Sequence, residues 1–238
     1  MGLAVTAVVP SAGAGTRFGA GMSKPFLALL GRPLLAWTLA ALEASEEITE
    51  IVPVLRKEDM EAGLKLIEGY SFPKIKRIAA GGHERQNSVL NGLRLLSPGG
   101  IVLIHDGARP LVDVSLIKDT LAAIEGYDGA IAAVPPKDTI KEAGEDSVVS
   151  KTLLRGSLWS VQTPQAFRYN TVMDAYERAS AEGFSSTDDA SLVERYGGRI
   201  KIVMGSYRNI KITTPEDLAI AEMFLKGVMA EKAVTDFA

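Results

Sequence analysis

The chain of 238 residues contains no cysteine and two histidines, His83 and His105. Without cysteine there is no disulfide, no thiolate nucleophile and no cysteine-held zinc or iron–sulfur centre. Two histidines argue against a multi-histidine metal site. No apolar run reaches the ~18 residues of a membrane span. Leu3–Val9 carries none of the marks of a leader peptide and reads as a first strand. A cytoplasmic protein with no membrane partner is therefore expected. The formal net charge of -3 excludes a broadly basic surface, so no nucleic-acid partner is expected and a polyanionic ligand requires a local basic pocket. What is present is an ordinary globular mixture, 47% hydrophobic and 23% charged. That is enough to build one large α/β domain or two small ones.

Short apolar runs alternate with helical patterns. Strands are predicted at Leu3–Val9, Glu50–Leu55, Ile75–Ala79, Ile101–His105 and Gly129–Val134. Helices are predicted between them at Pro33–Ala44, Met60–Ile67, Val89–Leu96 (with Asn91 and Gly92 tolerated inside it) and Ser115–Ile124. This alternation predicts a mainly parallel sheet with helices on both faces, a Rossmann-like α/β architecture. Ligands of such sheets bind beyond the C-terminal strand ends, where the strand order reverses. Pro135-Pro136 interrupts the pattern. Two strands, Thr139–Ala143 and Val148–Leu154, follow around Gly144-Glu145-Asp146. A lone hairpin is marginal in water, so it either folds back on its own domain or pairs with another subunit. Helices near Thr171–Ala181 and Asp188–Tyr196, a strand at Ile200–Met204 and a final helix opening at Thr214-Pro215-Glu216-Asp217 complete the pattern.

Three loops that follow strands carry unusual chemistry. The first is Pro10-Ser11-Ala12-Gly13-Ala14-Gly15-Thr16-Arg17-Phe18-Gly19, with Lys24-Pro25 just beyond. Small residues let the backbone approach an anion, and Arg17 and Lys24 add charge. A dinucleotide fingerprint fails because Phe18 stands where the third glycine belongs and Arg56-Lys57, not an acid, follows the second strand. A Walker lysine frame is absent. A plain turn remains open, but two cations in a glycine-rich loop favour a nucleoside triphosphate. The second loop, Gly81-Gly82-His83-Glu84-Arg85-Gln86-Asn87-Ser88, allows close backbone approach to a base. There Arg85 and Ser88 can hydrogen-bond a pyrimidine or the loop around it. The third is Asp106-Gly107-Ala108-Arg109-Pro110. Asp106 either starts a turn or holds Mg²⁺ with phosphate oxygens and waters, and Arg109 either anchors the loop or faces a ligand. Lys211, in Asn209-Ile210-Lys211-Ile212-Thr213, either is a solvated strand-end lysine or reaches a triphosphate.

Taken together, PSAGAGTRFG with SKPF, GGHERQNSV, HDGARP, PPKDTIK, LWSVQTPQAF, STDDAS and NIKITTPEDL resemble the 2-C-methyl-D-erythritol 4-phosphate cytidylyltransferase family of the non-mevalonate isoprenoid pathway. They run in family order from residue 10 to about residue 218. The resemblance implies one nucleotidyltransferase domain over residues 1–238, with a β-arm inserted at about 136–157 that locks a homodimer. It implies Arg17, Lys24 and Lys211 as catalytic cations at the α-phosphate. It implies CTP contacts from Ala12, Gly13, Ala14, Gly15, Thr16, Gly82, His83, Ser88, Asp106 and Gly107, and Mg²⁺ on Asp106. Arg109, Thr139, Arg155, Thr163 and Thr187 would bind the sugar-alcohol phosphate, with Thr139 and Arg155 reaching the partner's site. His83 stands where an acid is common, Gly107 replaces an alanine, and Phe18 replaces a larger aliphatic residue.

The activity this implies is transfer of CMP from CTP to methylerythritol phosphate with release of pyrophosphate. The acceptor's phosphate oxygen attacks in line and needs no general base, which accords with the lack of a Ser/His/Asp arrangement. Oriented cations and Mg²⁺ would supply positioning and charge stabilisation. A ribitol 5-phosphate cytidylyltransferase and a non-catalytic sugar-nucleotide binder are the alternatives.

Overall fold

The structure is a computed structural model and describes residues 3–13 and 23–235. In chain order the strands are β1 (Val5–Pro10), β2 (Ala28–Leu29), β3 (Arg32–Pro33), β4 (Glu50–Leu55), β5 (Ala79–Ala80) and β6 (Ile101–Ile104). They continue with β7 (Gly129–Val134), β8 (Lys141–Ala143), β9 (Val149–Thr152), β10 (Ser160–Arg168) and β11 (Ile200–Met204). The helices are α1 (Leu34–Glu43), α2 (Met60–Tyr70), α3 (Arg85–Leu93), α4 (Val114–Ala122), α5 (Tyr169–Glu182), α6 (Asp189–Arg195) and α7 (Pro215–Thr235).

Seven strands form one sheet in the order β11-β7-β10-β6-β1-β4-β5. Successive residues of a strand point to opposite faces, and the core divides accordingly. Val8, Val52, Val54, Val102 and Ile104 face the layer formed by α3, α5 and α6. Ala7, Val9, Ile51, Leu55 and Leu103 face the layer of α1, α2 and α4. Full burial of each large aliphatic side chain contributes about 1.5–3 kcal/mol, which is why both-face apolar strands occupy the centre. From β1 the chain moves outward to β4 and β5, then returns to β6 on the other side of β1, with β1 parallel to both neighbours. The order therefore reverses between β1 and β6, and a crevice opens beyond their C-terminal ends. No helix among the described residues is long and apolar enough to cross a membrane.

Besides the short pair β2–β3, which the sequence reading did not anticipate, three elements differ from the sequence expectation. The helix predicted at Val89–Leu96 begins one turn earlier, at Arg85, because Glu84 and Asn87 form a capping box. That first turn is polar and has no apolar period. The third strand shrinks from Ile75–Ala79 to Ala79–Ala80, with only an isolated bridge from Ile75 to Ile51, since Lys76 and Arg77 keep this sheet edge polar. The strand β10 was not expected, because Gln162, Thr163, Pro164 and Gln165 break any apolar alternation. It runs antiparallel between β6 and β7, and its ladder to β7 shifts register between Val161 and Gln165. Its apolar end, Ala166-Phe167, is fully buried.

The hairpin of β8 and β9 forms a separate two-stranded sheet. Every residue in both strands is exposed, so it does not fold back on the main sheet. Val148 at 63%, Val149 at 54% and Leu154 at 79% exposure leave it an uncovered apolar surface.

Candidate active site

Two cavities meet at the switch point. The first, about 490 Å³, is lined by the segments leaving β1 (Pro10 to Gly13), β5 (Gly81 to Arg85) and β6 (Asp106 to Ala108), with Lys24, Arg56 and Lys211 around the rim. The second, about 450 Å³, is lined by Arg109, Gln162, Thr163, Gln165, Thr187, Asp188 and Glu194, among others. Arg85, Asp106 and Lys211 line both cavities and form the wall between them.

Asp106 is 6% exposed and surrounded by cations. Arg85 Nε donates to its Oδ1 at 3.0 Å, Lys211 Nζ lies 2.9 Å from its Oδ2, and Arg109 Nε stands 3.6 Å from the same oxygen. Burial pushes the Asp106 carboxyl upward, but Arg85, Lys211 and Arg109 outweigh it and hold it well below the usual carboxylate range. Arg85 reaches onward, gripping Asp189 with Nη1 at 2.8 Å and Nη2 at 2.7 Å. Burial opposes the charge on Arg85, and Asp189 and Asp106 more than offset it, so its guanidinium stays protonated. Three cations against Asp106 and Asp189 leave the wall net positive.

The backbone of the wall is held from behind. Thr163 Oγ1 accepts the Asp106 N–H at 3.0 Å and lies 3.1 Å from His105 Nδ1, while His105 Nε2 lies 3.1 Å from the Arg109 carbonyl. A carbonyl only accepts, so Nε2 carries the proton and Nδ1 accepts from the Thr163 hydroxyl. Burial pushes the His105 imidazole down to about 4, keeping it neutral. Across the sheet, Gly107 N–H donates to the Pro10 carbonyl at 3.2 Å and Gly81 N–H to the Leu55 carbonyl at 2.7 Å. A Cβ at Gly81 would lie 2.3 Å from Ala12 Cβ, and one at Gly82 would lie 2.4 Å from Asn87 Cβ. Gly81 therefore lets the loops after β1 and β5 approach one another, and Gly82 lets its own loop fold closely onto the first turn of α3. A Cβ at Gly107 would fall 2.0 Å from Ser11 Oγ, which accounts for glycine here beside Ser11.

Ala12, Gly13, Lys24, Gly82, His83, Ser88, Asp106, Gly107 and Lys211, all expected around the nucleotide, line the first cavity together. The Ser88 hydroxyl is engaged within its own loop, accepting from Gly82 N–H at 3.1 Å and donating to the Glu84 carbonyl at 3.0 Å. Arg109, Thr163 and Thr187 line the second cavity. Thr139 and Arg155 line neither. Both are exposed in the arm segment, where Arg155 Nη1 donates to the Lys137 carbonyl at 2.9 Å. Ala14, Gly15, Thr16 and Arg17 lie outside the described residues.

Sequence reasoning assigned no role to Asp189, Gln165 or Asn209. Asp189 is fully buried behind Arg85. Gln165 donates to Asp188 Oδ2 at 3.0 Å and accepts from Ala190 N–H at 3.1 Å, fixing the start of α6. Asn209 is fully buried; its Nδ2 donates to the Thr163 carbonyl at 2.8 Å, and its own carbonyl accepts from Arg109 Nη1 at 2.8 Å. It thereby places the segment that carries Lys211. The adjacent acids in STDDAS were the available signal: Asp188 caps the helix, leaving the second acid with no local role.

The family model for 2-C-methyl-D-erythritol 4-phosphate cytidylyltransferase matches residues 5–227. The enzyme of that name from Geotalea uraniireducens is 47% identical over 232 residues, covering 96% of this chain and 99% of its own. The one from Geobacillus kaustophilus is 49% identical over 225 residues, covering 94% and 98%. The solved structure of the 4-diphosphocytidyl-2C-methyl-D-erythritol synthase of Anaerococcus prevotii superposes with a TM-score of 0.84 at 35% identity, covering 94% of this chain and 96% of that one.

Proposed function

The chain belongs to the 2-C-methyl-D-erythritol 4-phosphate cytidylyltransferase family, and on that premise we propose how its two cavities divide the reaction. The enzyme transfers CMP from CTP to 2-C-methyl-D-erythritol 4-phosphate, giving 4-diphosphocytidyl-2-C-methyl-D-erythritol and pyrophosphate. The cavity at the ends of β1, β5 and β6 takes the nucleotide. The cavity behind Thr163 and Thr187 takes the acceptor. The single observation that carries this assignment is the shared cationic wall of Arg85, Asp106 and Lys211.

Two polyanions must meet at the α-phosphorus. Lys24 stands on the nucleotide side and Lys211 in the wall itself, and with Arg17 they stabilise the negative charge that builds on the phosphoryl oxygens. Arg109, on the other side, neutralises the acceptor's phosphate. A phosphomonoester is already ionised near neutral pH, with a second pKa of about 6, so its oxygen attacks without a base while pyrophosphate departs opposite. Positioning accounts for the remainder of the rate.

A divalent cation fits this site in donor chemistry. Mg²⁺ takes one or two carboxylates and completes its shell from substrate phosphates and waters. Asp106 offers such a carboxylate on the cavity wall, and no cluster of three acids or histidines competes for the ion among the described residues. Asp106 would hold Mg²⁺, which when bound supplies charge neutralisation on the triphosphate.

The arm is proposed to join a homodimer. A two-stranded sheet is marginal alone, and Val148, Val149 and Leu154 are exposed. Burying them on a second subunit would carry Thr139 and Arg155 toward that subunit's acceptor cavity. Both substrates are polyanions that do not cross membranes, which supports a cytoplasmic place of action.

Pyrophosphate release from CTP tests the reading with each acceptor in turn. Release with 2-C-methyl-D-erythritol 4-phosphate is expected. Release with ribitol 5-phosphate alone, or with neither, overturns it.

A further inference from the structure

We propose that Asp189 is a positioning residue for the reaction, acting through Arg85 on the carboxylate of Asp106. The inference rests on the cytidylyltransferase reading and adds a buried residue that touches neither cavity.

Asp189 is the first residue of α6, fully buried, and its two oxygens accept both terminal nitrogens of Arg85, at 2.8 and 2.7 Å. Such a fork–fork pair fixes the plane of the guanidinium as well as its place. Of the three N–H donors left over, the one on Nε points along the wall. Arg85 Nε–H meets Asp106 Oδ1 at 3.0 Å. The Tyr176 hydroxyl donates to Oδ1 of Asp189 from α5 and closes the cluster on its inner side. Oδ1 of Asp106 is thus tied to the helix layer, whereas Oδ2 faces Lys211, whose side chain is 39% exposed. The two oxygens have different tasks: one is anchored, and the other is presented to the cations and phosphates of the cavities.

Stability alone does not account for this chain. Asp189 is taken fully out of water while Arg85 stays partly exposed, and a pair that buries a charge in this way is often no more stabilising than apolar side chains of the same volume. A bidentate arginine passing its third donor to a site carboxylate instead sets an orientation, and loss of such a supporting partner typically costs 10–100-fold in activity.

A double-mutant cycle tests the proposal. Asp189→Asn keeps the shape but weakens the fork, and should lower kcat by about 10–100-fold with a smaller change in KM for CTP. Asp106→Asn should lower kcat as well. In the double variant the second substitution should add less than about twofold, because both act on the same carboxylate. Asp189→Glu should restore part of the loss. Tyr176→Phe removes the other donor to Asp189 yet leaves the fork, so it should lower Tm and keep kcat. Should Asp189→Asn fail to fold, Arg85→Lys, which keeps the charge without the fork, takes its place in the cycle. Multiplicative losses in the double variant overturn the proposal, as does unchanged kcat in the single one. Absence of turnover by the wild-type enzyme overturns the underlying reading, and this inference with it. Normal wild-type turnover with an additive cycle overturns this inference alone.

Discussion

The hydroxyl of Ser23 donates to Oδ2 of Asp59 at 2.6 Å. Arg56 holds the same carboxylate with Nε at 2.8 Å and Nη2 at 3.2 Å, and Asp59 is 7% exposed. The residue before Lys24 is therefore moored to the connection between β4 and α2. The short helical turn Lys24–Phe26 starts from a fixed point, which limits the space the lysine samples at the rim of the first cavity.

On the proposed reading, in which both cations stabilise the developing charge, Lys24→Ala should lose about 10²–10³ in turnover while staying folded, and Arg17→Ala the same. Asp59→Asn keeps Lys24 and loosens its mooring, so its loss should be smaller and fall mostly on KM for CTP. Pyrophosphate release with varied CTP measures all three. Near-normal turnover in both alanine variants would remove these cations from the mechanism.

Mixing Arg155→Ala with Lys24→Ala subunits should restore activity if the arm completes the partner's site. Each hybrid dimer then has one site with Lys24 from one subunit and Arg155 from the other, and random reassortment returns roughly a quarter of all sites. Native mass spectrometry verifies that hybrids form. Hybrids without recovered turnover rule out the contribution in trans.

His105 should make the protein acid-labile. Burial lowers its imidazole to about 4 from the ordinary 6.5, so between those values the unfolded chain binds a proton that the folded one does not. This contribution is intact above pH about 6.5 and is lost as pH falls toward about 4, at up to ~1.4 kcal/mol per pH unit. His105→Gln keeps a donor for the Arg109 carbonyl and cannot titrate. Urea unfolding at pH 7 and pH 5 should show a larger drop for the wild type than for this variant. Equal drops would mean His105 is not the titrating group.

Gly92→Ala should destabilise the fold although alanine favours helices by about 1 kcal/mol. A Cβ there would lie 2.6 Å from Val8 Cγ1 and 3.1 Å from Val54 Cγ2, and overpacking of a tight core costs about 1–3 kcal/mol. Because α3 carries Arg85 and Ser88, a shift of this helix should lower turnover as well. A variant with an unchanged urea midpoint would mean that the helix-to-sheet spacing relaxes freely.

The apolar runs of β1, β4, β6 and β7 and the periodicity of α1, α2 and α4 were legible along the chain, because each is buried by its own local pattern. So were the three loops that line the cavities, since glycines and charges directly after an apolar run have few other uses. The polar first turn of α3 and the strand β10 were not legible. Their residues are dictated by what lies across the sheet: Thr163 accepts the N–H of Asp106, and Gln165 fixes the start of α6.

By itself the sequence determined the mainly parallel layered fold, the family and the set of charged residues available for chemistry, because hydrophobic period and motif spacing are properties of neighbouring residues. Only the tertiary structure decided that Arg85 faces Asp189 and Asp106, that Lys211 closes on Asp106, and that two cavities share one wall. Those contacts join residues far apart in the chain. They exist because the strand order reverses between β1 and β6 and brings the ends of those strands, the capped start of α3 and the segment after Asn209 into one crevice.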